Sequence, residues 1–154
     1  MAGDDKIKVS VVRMDDYSDK ELCARKVAEA IDASDGLPEI FRPGIKVLLK
    51  PNMLTAKPPE FAATTHPEIV RAVIRYLRDK GITDITFGDS PAGSFSWTEL
   101  WGKTGFAKLA EEEKVPLIPF ENVKRLDIDG MTIPYLREID DFDAMISIPK
   151  LKTH

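Results

Sequence analysis

The chain is 154 residues long, 43% hydrophobic and 31% charged, the balance of an ordinary folded domain rather than a disordered or fibrous chain. Its 22 basic and 26 acidic side chains give a net charge of -4 and form no basic stripe, which argues against nucleic acid as a partner. No apolar run approaches the roughly 18 residues needed to span a bilayer, and the start lacks a signal-like stretch, so the sequence reads as a cytoplasmic protein with no membrane partner.

In chain order, the β-branched run Ile7 to Val12 predicts a first strand. Ser18-Asp19-Lys20-Glu21 reads as a capping box opening a helix to about Ser34, with Leu22, Cys23, Val27, Ala30 and Ile31 on its apolar side. Cys23 stands alone, which excludes an internal disulfide and a four-cysteine iron–sulfur cluster within this chain. On that face it reads as a buried small apolar residue rather than a reactive thiol. Pro43-Gly44 breaks the chain before Ile45 to Leu49, an almost continuous apolar run of the kind found in a strand covered on both faces, so this strand should be central. A loop with Pro51, Pro58 and Pro59 follows. Thr65-His66-Pro67-Glu68 then starts a second helix carrying Ile69, Val70, Val73, Ile74 and Leu77, which Lys80-Gly81 ends. Ile82 to Gly88 predicts the next strand, parallel to its predecessor because a helix intervenes.

Gly93 to Trp101 reads as a loop or short helical segment, Thr104 to Lys114 as a third helix and Pro116 to Phe120 as a fourth strand. Trp97 and Trp101, four apart, should pack one helical turn onto the body. Gly102-Lys103-Thr104 looks like the end of a phosphate-binding loop, but Trp97 stands where that loop needs glycine. The tripeptide reads instead as a helix start with Thr104 as its cap. Asp129-Gly130, between Val123 to Ile128 and Met131 to Leu136, predicts a two-stranded hairpin. Phe142 to Ile148 is an apolar strand whose Ala144, Met145, Ile146 and Ile148 call for cover on both faces. The predicted fold is therefore α/β, an open, mostly parallel sheet with helices on both faces and a short β-hairpin in the C-terminal half, forming one domain over residues 1–154.

In such a sheet ligands bind beyond the carboxyl ends of the strands, and three polar clusters stand there. Lys50 and Asn52 flank Pro51, an amine and an amide suited to a carboxylate or phosphate, or a solvated lysine and a turn asparagine. Asp89 follows Phe87-Gly88 and could serve a ribose hydroxyl, a metal or a substrate proton, or cap the next turn. Ser90 adjoins it. His66, before a helix-first proline, sits at a positive helix end that favours its neutral form, as a base would need; capping the helix is the plain alternative. Lys150, Lys152 and His154 make the third cluster. His66 and Asp89 are the candidate catalytic residues, Lys50, Asn52, Ser90, Lys150, Lys152 and His154 the candidate ligand-binding ones. The spacing of His66, Asp89 and His154 defines no metal site.

The strings Val47-Leu48-Leu49-Lys50-Pro51-Asn52, Thr64-Thr65-His66-Pro67-Glu68-Ile69-Val70-Arg71-Ala72-Val73, Gly88-Asp89-Ser90-Pro91-Ala92-Gly93 and Ile148-Pro149-Lys150-Leu151-Lys152-Thr153-His154 resemble the ordered blocks of the family called domain of unknown function 362. The resemblance implies an α/β domain, and some relatives carry an appended ferredoxin-type segment, hence the frequent description as iron–sulfur cluster-binding proteins. Relatives also continue past the last block, so the chain is expected to be truncated relative to longer members. More distantly, the threonine-histidine-proline helix start and glycine-ended strand are similar to the amino-terminal domain of nickel-dependent lactate racemase, an analogy of fold. Two functions follow as expectations. One is an enzyme or enzyme half that binds a small anionic ligand, with redox chemistry supplied by a ferredoxin-type partner. The other is a non-catalytic ligand-binding or assembly module. An open apolar edge at the last strand further predicts self-association.

Overall fold

The computed structural model describes residues 7–91 and 93–152. Four strands, β1 (Lys46–Pro51), β2 (Asp84–Asp89), β3 (Leu117–Pro119) and β6 (Ala144–Ile148), form an open sheet in the order β3-β2-β1-β6. All three neighbouring pairs are parallel. Helices α1 (Lys20–Ala33), α2 (Pro67–Asp79), α3 (Trp97–Thr104) and α4 (Phe106–Glu113) accompany it, and β4 (Val123–Ile128) pairs with β5 (Met131–Leu136) in a separate antiparallel hairpin. The fold is thus α/β, as the alternation of apolar runs and helical periods predicts.

The central position of β1 follows from its sequence. Val47, Leu48 and Leu49 are completely buried, because β2 and β6 take its backbone groups on either side while its side chains are covered. One apolar cluster joins Val47, Leu49, Ile85 and Phe87 of the sheet to Val70, Val73, Ile74 and Leu77 of α2 and to Phe106 and Leu109 of α4. Each such side chain contributes about 1.5–3 kcal/mol on burial. Trp97 and Trp101 add to its rim, with ring centroids 5.5 Å apart. Gly88 is required where β2 meets β3, since a Cβ there would lie 2.3 Å from the carbonyl oxygen of Ile118. At the hairpin tip Asp129 and Gly130 both take positive φ, 50° and 79°, the backbone that a two-residue turn of this hand demands.

Four local expectations are corrected. Ile7 to Val12 forms no strand: Ile7, Val9 and Val11 are 91%, 82% and 94% exposed, and the sheet offers the run no partner. β-branched composition suits a pleated, half-buried surface and cannot create one. The cap of α1 is Asp19, not Ser18; its carboxylate accepts from the backbone N–H groups of Glu21 and Leu22, while Ser18 donates to Asp16. The stretch Thr104 to Lys114 is not one helix. Thr104 closes α3, with its hydroxyl donating to the Leu100 carbonyl, and Gly105 at φ 80° turns the chain before α4 begins. Finally, β6 does not need cover on both faces. Ala144, Ile146 and Ile148 face the apolar cluster, whereas Met145 is 43% exposed on the opposite side of this terminal strand of the sheet.

Beyond the hairpin, Glu138 fastens the chain. Its buried Oε1 accepts from the backbone N–H groups of Glu121 and Asn122, each at 3.0 Å, and from Asn122 Nδ2 at 2.7 Å. Burial on its own would raise this carboxyl, but these donors outweigh it and hold the group down at about 2. A depressed carboxyl stabilises the fold above its unfolded value of about 4.5 and loses that contribution as the pH falls toward 2. Thermal melts between pH 7 and pH 2 should therefore show an acid-induced drop that Glu138→Gln makes shallower; an unchanged slope would remove Glu138 from this account.

Candidate functional site

β1, β2 and β6 run parallel, so their carboxyl ends, at Pro51, Asp89 and Ile148, open on the same side of the sheet. Thr65 binds these ends together. Its hydroxyl accepts from the backbone N–H of Asn52 at 2.9 Å and donates to the carbonyl of Ile148 at 2.7 Å, and its own N–H donates to the Asn52 carbonyl. The helix α2 therefore begins at the end of β1, next to the chain leaving β6.

Of the residues singled out in the sequence, one group forms a closed polar cluster. Lys50 Nζ lies 2.6 Å from Asp89 Oδ1, and Asp89 Oδ2 accepts from the buried backbone N–H of Met53 at 2.8 Å. Lys152 donates to Asn52 Oδ1 at 2.8 Å and to the Ala63 carbonyl at 3.2 Å. Asp89 is buried and Ser90, beside it, is exposed. Both Asp89 oxygens are thus engaged by protein donors, and the Lys50 charge is already met.

His66 and Lys150 stand elsewhere on the same rim. They line a cavity of about 520 Å³ together with Asp15, Asp16, Tyr17 and Ser18 before α1 and Pro59, Glu60 and Ala62 of the loop after β1. That volume falls within the usual small-molecule range. His66 caps α2, its Nδ1 accepting from the Glu68 N–H at 3.2 Å. Burial holds its imidazole below the ordinary histidine range, opposed by Glu68 and Glu60 and assisted by Lys150, so the ring is neutral near pH 7. Among the described residues Lys150 has no ion-pair partner. His154 lies outside the described residues.

Two contributors were not legible as site residues. Thr65 carries a signal in hindsight, a hydroxyl directly before a helix cap. Tyr17 carries none, because its stacking on His66 joins segments far apart in the chain. Cys23 is buried, and burial, with Glu68 nearby, pushes its thiol up to about 11, which keeps it unreactive. Among the described residues no three His, Cys, Asp or Glu side chains converge as a metal-holding group, and no helix is long and apolar enough to cross a membrane.

The model of a family described as "Domain of unknown function (DUF362)" matches residues 47–154, from β1 through the third polar cluster. A thylakoid-associated protein of Synechocystis sp. is 32% identical over 149 residues, covering 95% of this chain and 45% of that protein. The chain thus spans less than half the length of this relative. No solved structure matches.

Proposed function

The chain belongs to the DUF362 family, and from that premise we propose that its strand-end crevice binds a small anionic ligand, a carboxylate or phosphate, as an enzyme or enzyme half. The observation that carries this reading is the pairing of His66 with Lys150 in one cavity, while the charges of Lys50 and Asp89 satisfy each other next door. Lys150 is the cation that meets the anion, and His66 supplies a second polar contact. Lys50, Asn52, Asp89, Ser90 and Lys152 frame the crevice, with Asp89 able to take a proton only when Lys50 moves away. The carboxylates of Asp15, Asp16 and Glu60, which also line the cavity, repel a dianion more than a monoanion, so a carboxylate is favoured over phosphate. In this reading any redox chemistry is supplied by a ferredoxin-type partner.

Calorimetric titration with acetate and with inorganic phosphate tests this reading. Acetate should bind more tightly than phosphate at pH 7, and Lys150→Met should weaken acetate by about tenfold, the loss of one charge-assisted contact. Absence of binding, or equal binding by Lys150→Met, would overturn the reading.

A second reading, a non-catalytic assembly module, draws on the hairpin. Leu126 opposes Ile133 and Ile128 opposes Met131, so these four exposed apolar side chains share one face. Self-association that Met131→Lys abolishes, in a protein that binds neither anion, would favour it. A cytoplasmic location belongs to the first proposal and is checked by cell fractionation; the thylakoid association in the relative's name, if it applied to this chain, would appear there as a membrane-bound fraction.

A further inference from the structure

The Tyr17 ring lies flat on the His66 ring, with centroids 4.1 Å apart and planes 12° from parallel. Tyr17 belongs to the segment before α1, outside the residues that the family model matches, and that segment forms one wall of the cavity on which His66 and Lys150 open. The nitrogen of His66 that accepts the Glu68 N–H cannot also carry a proton. In the neutral ring the proton therefore sits on Nε2. A stacked neighbour on the ring face and a backbone donor at one nitrogen together fix both the plane and the tautomer.

We propose that Tyr17 is a positioning residue, which by stacking on His66 holds the imidazole so that its Nε2–H, with the Lys150 ammonium, meets a carboxylate in the cavity between the 15–18 segment and the Pro59–Phe61 turn. The proposal rests on the anion-binding reading above and makes His66 a hydrogen-bond donor to the ligand rather than a base. Burial, more than the charges around it, keeps the imidazole neutral. Burial and Lys150 favour the uncharged form against Glu68 and Glu60, and Asp15 and Asp16 on the facing segment are engaged by Arg13 and Ser18 respectively. Protonation at Nδ1 would also set two N–H groups against each other at the start of α2.

The experiment is nitrogen-15 spectroscopy of the His66 ring in the full chain, assigned with His66→Gln and combined with acetate titration, for the parent protein, Tyr17→Phe and Tyr17→Ala. The parent and Tyr17→Phe should show a single Nε2–H tautomer with a titration midpoint below the ordinary histidine value of about 6.5. In Tyr17→Ala the tautomers should mix, the midpoint should rise toward that value, and acetate affinity should fall by about three- to tenfold. An Nδ1–H ring in the parent, or a Tyr17→Ala ring and affinity identical to the parent, would overturn the proposal. Acetate bound equally by all three with an altered ring in Tyr17→Ala would likewise overturn it while leaving the anion site standing. No acetate bound by the parent would overturn the anion site itself, whatever the ring shows.

Discussion

Arg71→Met is expected to destabilise the protein by about 3–5 kcal/mol, the usual cost of removing one partner from a buried ionic network. Arg71 is 4% exposed, and its guanidinium engages three carboxylates: Glu68 at 2.8 Å, Glu112 at 2.6 Å and Glu113 at 2.7 Å. Methionine keeps most of the apolar stem and deletes the charge, leaving Glu68 without its ion pair and Glu113 dependent on Arg75 and Arg78. Glu112 then loses its hold on α2, the helix whose cap is His66, and of these ion pairs only the Arg75 and Arg78 contacts to Glu113 still tie α4 to it. Urea unfolding should show a lower midpoint with an unchanged slope, which marks a loss of stability rather than a change in the unfolded chain. A variant within 1 kcal/mol of the parent would show that the network is solvated and dispensable.

Asp89→Ala should cost about 2–4 kcal/mol. The larger part comes from the Met53 N–H, buried and left without an acceptor, at about 1–3 kcal/mol. The Lys50 partner adds less, because its side chain is 34% exposed and can turn to water. Asp89→Asn keeps an acceptor for Met53 while losing the charge, so it should recover most of the loss. Equal destabilisation by both variants would mean that the ion pair, not the backbone contact, holds the strand ends together.

The parts of the fold that were legible in the sequence are those where a local pattern and its tertiary surroundings demand the same thing. Ile45 to Leu49 is apolar on both faces and is central; Asp129-Gly130 offers positive φ where the hairpin needs it. Ile7 to Val12 has the composition of a strand but no neighbouring strand, and composition cannot show that absence. Thr104 ends α3 rather than opening a helix, because the break between α3 and α4 depends on one glycine, Gly105, entering the left-handed region. At the site, strand-end position correctly brought Lys50, Asn52 and Asp89 to one rim. It could not show that Lys50 and Asp89 neutralise each other, or that the open cavity lies beside His66 and Lys150, because both facts depend on side-chain directions after the strands have ended.

The central claim, that a carboxylate binds between His66 and Lys150, is tested most directly by the amide spectrum of nitrogen-15-labelled protein titrated with acetate. Saturable shifts should concentrate at Tyr17, Ser18, His66, Glu68 and Lys150, the residues at and beside the cavity. Shifts that do not saturate, or that gather instead at Arg42 and Lys80 around the separate cavity beside Tyr76, would contradict it.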